Sequence, residues 1–151
     1  MIALIQRVSR AEVAVDGSPV SAIGHGVLAL IGVRKGDTET EADRLVERIV
    51  GYRIFPDGEG RMNRSLKDID GELLLVPQFT LAADTHSGMR AGFSTAAAPD
   101  EGRRLFDYLL VRARASLKTV ASGRFGAHMQ VSLVNDGPVT FWLETPPATP
   151  A

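Results

Sequence analysis

Apolar positions in the first third of the chain fall into short runs and alternations, the pattern of extended strands. Met1-Ile2-Ala3-Leu4-Ile5-Gln6-Arg7-Val8 is apolar from the start, and residues 2–8 predict a first strand. Residues 11–15 alternate around Val13 and Val15 and end at Asp16-Gly17, a turn dipeptide. A short strand is expected over 19–23. Gly24-His25-Gly26 then turns into Val27-Leu28-Ala29-Leu30-Ile31-Gly32-Val33, which reads as a buried strand.

The period changes after Thr38. Thr38 and Glu41 have the spacing of a capping box, in which each side chain satisfies an early backbone N–H. Ala42, Leu45, Val46, Ile49 and Val50 follow as one helical stripe, and Gly51 stands where a stop belongs. Residues 52–55 predict a short strand ended by Pro56-Asp57-Gly58, followed by a loop with Arg61, Asn63 and Arg64. Asp70-Gly71 turns into Glu72-Leu73-Leu74-Leu75-Val76, a central-strand pattern ended by Pro77. Residues 82–97, rich in Ala, Ser, Thr and Gly, lack any period and are long for a connection, which favours a functional loop.

A second helix is expected from Pro99, with Asp100 and Glu101 at its positive end and Arg112, Arg114 and Lys118 late. Its stripe is Leu105, Leu109, Ala113 and Leu117, with Phe106 and Leu110 beside it. Two strand-like runs, Met129–Val134 and Val139–Leu143, close the pattern, with Asn135-Asp136-Gly137-Pro138 between them. Strands outnumber helices, so the expected class is α+β, with a mixed or largely antiparallel sheet and two main helices. Residues 1–144 form one domain in this reading. Thr-Pro-Pro-Ala-Thr-Pro-Ala at 145–151 is expected to be a loose tail.

Composition narrows the chemistry. The 151 residues suit one domain, and 17 basic against 18 acidic residues exclude nucleic-acid binding through bulk positive charge. A local patch stays open, because 14 of the 17 basic residues are arginine, the better phosphate fork. The absence of cysteine removes disulfides, thiolate nucleophiles and Cys-ligated zinc. His25, His86 and His128 show no helical i, i+4 pair and read as surface or turn residues, so neither a metal nor a cofactor is expected. Gly24-His25-Gly26-Val27-Leu28-Ala29 matches a loose dinucleotide pattern, but a strand rather than a helix follows the glycines, which favours a plain hairpin. There is no G-x-S-x-G elbow. No apolar run approaches the roughly 18–20 residues of a membrane span, and the N-terminus lacks the pattern of a signal peptide, so the expected compartment is the cytoplasm.

Two segments stand out. In Val76-Pro77-Gln78-Phe79-Thr80-Leu81, polar groups end a strongly apolar strand; composition alone favours a strand dissolving into a loop. In Asn135-Asp136-Gly137-Pro138-Val139-Thr140, Asp-Gly suggests a hairpin turn, and Pro138 removes a backbone donor.

At these two segments the chain resembles the D-aminoacyl-tRNA deacylases, which carry a Ser-Gln-Phe-Thr motif and Asn-x-Gly-Pro-Val-Thr. Here they stand as Pro77-Gln78-Phe79-Thr80 and Asn135-Asp136-Gly137-Pro138-Val139-Thr140. The opening Met1–Val8, Gly51-Tyr52-Arg53-Ile54-Phe55 and the run Gln130–Trp142 are similar too, so the likeness covers residues 1–144. It implies a barrel-like sheet and hydrolysis of the ester joining a D-amino acid to the 3′-terminal adenosine of tRNA. It also implies clearance of glycine mischarged on the tRNA for alanine. A homodimer is implied, with its active site at the subunit interface. Gly137-Pro138 would be cis, reach into the partner's pocket, hold the substrate amino group and exclude L side chains, with Arg7 orienting the motif. Gln78, Phe79 and Thr80 would form the catalytic turn, with the ribose 2′-OH of the RNA assisting water. Pro77 replaces the family's serine, so no hydroxyl acts there.

Other readings stay open beside this one. Pro77 suits a catalytically idle dimeric module that binds RNA or protein on the same scaffold. A generic small-ester hydrolase is a third reading, and a covalent route through Thr80 needs a neighbouring base. Arg53, Arg61, Arg64 and Lys67, or Arg112, Arg114 and Lys118, are candidates to meet RNA phosphates or are simply solvated charges.

Overall fold

A computed structural model describes residues 1–146. Its order is β1 (Ile2–Val15), β2 (Ser18–Ile23), β3 (Gly26–Gly32), α1 (Glu39–Gly51), β4 (Arg53–Pro56), β5 (Met62–Ser65), β6 (Glu72–Pro77), a 3₁₀ turn (Phe79–Ala82), α2 (Pro99–Ser116), β7 (Val120–Ser122) and β8 (Gln130–Glu144). Six strands make a mixed, nearly closed barrel-like sheet with two helices on it, the α+β class that the sequence predicts. β3, β6 and β7 run parallel to one another, while β1 is antiparallel to β2, β3 and β8.

β1 organises the sheet. It is one strand, not the two short ones expected, because both its edges are paired. β8 lies along one edge from Ile2 to Ala14; β3 and then β2 lie along the other, at Ile2–Val8 and Ala11–Val15. Asp16 and Gly17 close the β1–β2 hairpin with positive φ at both positions, the turn that suits the strand twist. Gly24-His25-Gly26 forms neither a nucleotide loop nor a hairpin. β2 and β3 pair successively with the same strand, so these residues only bend the chain between them. Gly26 is there because β6 comes so close: a Cβ would stand 1.8 Å from the Glu72 carbonyl oxygen.

The two faces bury separate clusters. Val27, Ala29 and Ile31 of β3 and Leu73 and Leu75 of β6 face the helices, packing on Leu45, Ile49, Leu105 and Leu109. Leu28, Leu74 and Val76 point the other way, into the barrel with Val8, Val13 and Ile23. Alternation is thus kept with both faces buried, as expected for parallel strands. β1 changes phase at Ser9, where an extra residue opposes β8: Val8 pairs with Asn135 and Arg10 with Val134. This moves Ala11 and Val13 into the interior cluster.

Other local expectations shift by small amounts. Gly51 is the last helical residue rather than the one beyond it. The expected strand at 52–55 begins at Arg53, and Pro77 is the last residue of β6. The expected loop around Arg61 and Arg64 contains β5, because the Asp57 carboxylate organises a hairpin with β4. It accepts from the N–H groups of Glu59 and Arg61 at 2.8 and 3.0 Å and from the Asn63 amide at 2.8 Å. The expected runs Met129–Val134 and Val139–Leu143 join, from Gln130 on, into one strand, β8, so the hairpin reading of the residues between them is overturned. Thr145, expected in the tail, is buried; its hydroxyl accepts from the Met1 ammonium at 2.7 Å, beside Asp37 at 3.0 Å. Residues 147–151 of the expected tail lie outside the described residues. No helix among the described residues is long and apolar enough to cross a membrane.

The capping box of α1 forms as the spacing predicts. Burial alone would raise the Glu41 carboxyl, but the hydroxyl and N–H of Thr38 both donate to it and hold it below its ordinary value. Thr38→Ala should cost about 1 kcal/mol. A carboxyl held low stabilises the fold above its unfolded pKa, and this contribution is lost as pH falls through the folded value. Thermal melts should therefore show the gap between wild type and Thr38→Ala shrinking below about pH 4.

Candidate active site

The parallel pairing of β3 and β6 delivers one polar turn to the end of the sheet. Pro77 pairs with Ile31 as the last residue of β6, and the Gln78 N–H donates to the Ile31 carbonyl at 2.8 Å. Proline suits this place. Leu75↔Ser122 is the last β6–β7 pair, and Pro77 lacks the N–H that would extend that ladder. The chain then turns, with the N–H of Leu81 donating to the Gln78 carbonyl at 3.2 Å and that of Ala83 to the Thr80 carbonyl at 3.2 Å.

Phe79 and Thr80 are exposed on this turn. Their N–H groups lead it, where a helical turn offers no internal acceptor, and they reach no other backbone carbonyl among the described residues. The Gln78 side-chain amide donates to the Thr80 oxygen, Oγ1. A hydroxyl that accepts there keeps its own proton free to donate outward. Among the described residues no imidazole or carboxylate is hydrogen-bonded to Thr80. The Phe79 ring rests on Phe93, centroids 5.4 Å apart.

Beside the turn is a pocket of about 440 Å³. Its lining includes Gln78 and Phe79 of the turn, Phe106 of α2, and Phe125, His128 and Met129 of the loop before β8. Sequence reasoning placed Phe106 beside the stripe of the second helix, read His128 as a surface or turn residue, and gave Phe125 and Met129 no site role. Only the β7–β8 connection brings these three beside Gln78, and nothing local signals it. Among the described residues no three His, Asp or Glu gather as a metal set.

The second motif forms a protrusion. Gln6 pairs with Thr140 and Val8 with Asn135, so the single residue Arg7 faces Asp136, Gly137, Pro138 and Val139. The surplus bulges from β8 and is held at both ends. The Asn135 side chain accepts from the Val139 N–H at 2.9 Å and donates to the Thr140 hydroxyl at 2.8 Å. Arg7 donates through Nε to the Asp136 carbonyl at 3.0 Å and through Nη1 to the Ile54 carbonyl at 2.7 Å. The Gly137-Pro138 peptide is cis, and both residues are exposed. Gly137 has φ +138°, and a Cβ there would meet Val139 Cγ2 at 2.7 Å, so only glycine fits.

Within one chain the two motifs stay apart. Gly137, Pro138 and Arg7 do not line the pocket. Arg7 pairs with Val27, four residues from Ile31 on β3. At about 3.3 Å per residue, this offset is about 13 Å along the strand direction alone. Among the basic candidates, Arg112 is paired with Asp43 at 3.1 Å and Lys118 with Asp70 at 3.2 Å. Arg53, Arg61, Arg64, Lys67 and Arg114 enter no ion pair among the described residues. His25 packs edge-on to Phe55. His86 faces Asp84, whose carboxyl its backbone N–H and ring hold below the ordinary value.

The chain is similar to known proteins over nearly its whole length. The family model described as D-Tyr-tRNA(Tyr) deacylase matches residues 4–144. A protein of Thioalkalivibrio sulfidiphilus named D-aminoacyl-tRNA deacylase is 67% identical over 147 residues, covering 97% of this chain and 99% of that one. One of the same name from Alkalilimnicola ehrlichii is 63% identical, covering 98% and 99%. Among solved structures, a c-Myc DNA unwinding element binding protein superposes with TM-score 0.93 at 38% identity, covering 97% of this chain and 99% of that one. A probable eukaryotic D-amino acid tRNA deacylase superposes with TM-score 0.83 at 19% identity, covering 95% and 98%, a likeness of fold. From the match over nearly its whole length, this chain belongs to the D-Tyr-tRNA(Tyr) deacylase family.

Proposed function

We propose that the protein is a D-aminoacyl-tRNA deacylase, a hydrolase that cleaves the ester between a D-amino acid and the 3′-terminal adenosine of tRNA. The observation that carries this reading is the exposed Gln78–Thr80 turn, which aims free donors outward beside an aromatic-walled pocket. Family membership and the names of the relatives support the substrate class. The pocket takes the terminal adenosine, whose base meets the partly exposed Phe125. The ester carbonyl then lies over the turn, where the Phe79 N–H and Thr80 O–H stabilise the negative charge that develops on its oxygen. Water adds to the carbonyl carbon, the ester C–O bond breaks, and the ribose 3′-oxygen takes a proton. The neighbouring 2′-OH orients that water. An activated ester needs orientation more than a strong nucleophile, and the lack of a base on Thr80 speaks against an acyl-enzyme. Aminoacyl-tRNA makes the cytoplasm the working compartment.

Chirality comes from a second copy. A homodimer would place one protomer's 136–139 protrusion over its partner's pocket, a reading that the separation of the two motifs within one chain supports. Exposed Val134 and Trp142 on β8 give that association an apolar surface. The Gly137 carbonyl receives the substrate amino group, and the protrusion, held by Asn135 and Arg7, leaves no room for an L side chain. A clash discriminates far better than a missing apolar contact, which is worth only about 1–3 kcal/mol. Glycine has no side chain to reject, so glycyl-tRNA for alanine is also cleaved.

The test is release of tyrosine from D-Tyr-tRNA and L-Tyr-tRNA by the purified protein. Rapid loss of the D-ester alone is expected; loss of neither would refute the assignment. Thr80→Ala should lower kcat by about 10²–10³ while leaving measurable turnover, since one donor is worth about 2.7–4 kcal/mol. Complete loss in a folded variant would instead indicate covalent catalysis. Arg7→Ala should reduce the D-over-L ratio by about tenfold, or 1.4 kcal/mol, as the protrusion loosens. An unchanged ratio would show that Arg7 does not position it.

A further inference from the structure

We propose that Arg103 is a substrate-positioning residue that binds the phosphate joining the terminal adenosine to the preceding nucleotide. This rests on the deacylase reading and adds to it the contact that holds the RNA strand at the pocket.

The argument starts from Phe125, a wall of the pocket. One side of its ring lies against α2 at Gly102, where a Cβ would stand 3.4 Å from Phe125 Cζ. This is ordinary van der Waals contact, and it packs the ring against the helix. The Arg103 guanidinium stacks on the same ring, 5.0 Å from its centroid. It also lies beside Gly126, with Nη2 3.9 Å from where a Cβ would be. The guanidinium is therefore held beside Phe125 and Gly126, two residues that line the pocket.

Its charge is unspent. Arg103 is exposed and enters no ion pair among the described residues, although Asp100 and Asp107 lie three and four residues away on the same helix. The adjacent Arg104 is engaged by both Glu101 and Glu39. A guanidinium that stacks through its face keeps its edge N–H groups for an acceptor in the ring plane, and phosphate matches that fork. A base in the pocket brings its own 5′-phosphate to the rim. With a net charge of −1, the protein has to attract RNA through such local placement.

The test compares two substrates: D-Tyr-tRNA and the D-tyrosyl ester of adenosine, which has no phosphate. Arg103→Ala should raise KM for the tRNA about five- to tenfold with kcat little changed. It should also flatten the logarithmic salt dependence of kcat/KM by about 0.7, the value for one contact to a single strand. Arg103→Lys should recover part of the loss. On the adenosine ester Arg103→Ala should match wild type, and Arg44→Ala, which removes an equal charge on α1, should match it on both. Equal losses on the two substrates would overturn the proposal, leaving Arg103 only as a support for Phe125. No loss on either, or an unchanged salt slope, would overturn it as well. If wild type cleaves neither ester, the deacylase reading itself fails and this role falls with it.

Discussion

Four residues of β8 oppose one residue of β1 at Arg7, and most of what distinguishes this molecule follows from that mismatch. Apart from the single extra residue at Ser9, the two strands pair without further shifts over the rest of their length. A surplus at one point has nowhere to go except outward, so the chain protrudes there as a short stiff projection. The pairing on either side fixes where it leaves the sheet. Asn135 closes its base, and Arg7 ties it to the β4 backbone through Ile54. A loop of the same composition at the sheet margin would have no such restraint.

The catalytic turn is placed by a different device. β6 runs parallel to β3 and is brought very close to it at Gly26, so the end of β6 is set by the register of two buried strands. Buried on both faces, these strands cannot slip by one residue without exchanging their two hydrophobic clusters. Gln78 is anchored to β3 and its side chain to Thr80, so the two exposed positions project from a rigid frame. Donors of this kind stabilise a transition state because they need little reorganisation as charge develops.

In the proposed complex the same economy extends to the RNA. Aromatic side chains from the Gln78–Thr80 turn and from the loop before β8, Phe79 and Phe125, line the pocket that receives the base. Arg103 lies on one of these aromatics with its fork unpaired. Recognition then depends on the terminal nucleotide and its phosphate rather than on a broad basic surface, consistent with the near-neutral charge of the chain.

The linear order of residues was enough for everything that depends on near neighbours. Thr38 and Glu41 announced the start of α1, Pro99 that of α2, Asp16-Gly17 the first hairpin, and the two helical stripes the faces that are buried. The Gln78–Thr80 and Gly137-Pro138 motifs were also legible, through family likeness. It was the tertiary structure that joined 130–134 and 139–143 into one strand, made Gly24-His25-Gly26 a bend, and set Phe125, His128 and Met129 beside Gln78. The physical reason is range. Caps, turns and helical stripes are decided within about four residues. Strand continuity at Asn135–Thr140 is decided by β1, more than 120 residues away, whose pairing overrides a local preference to turn.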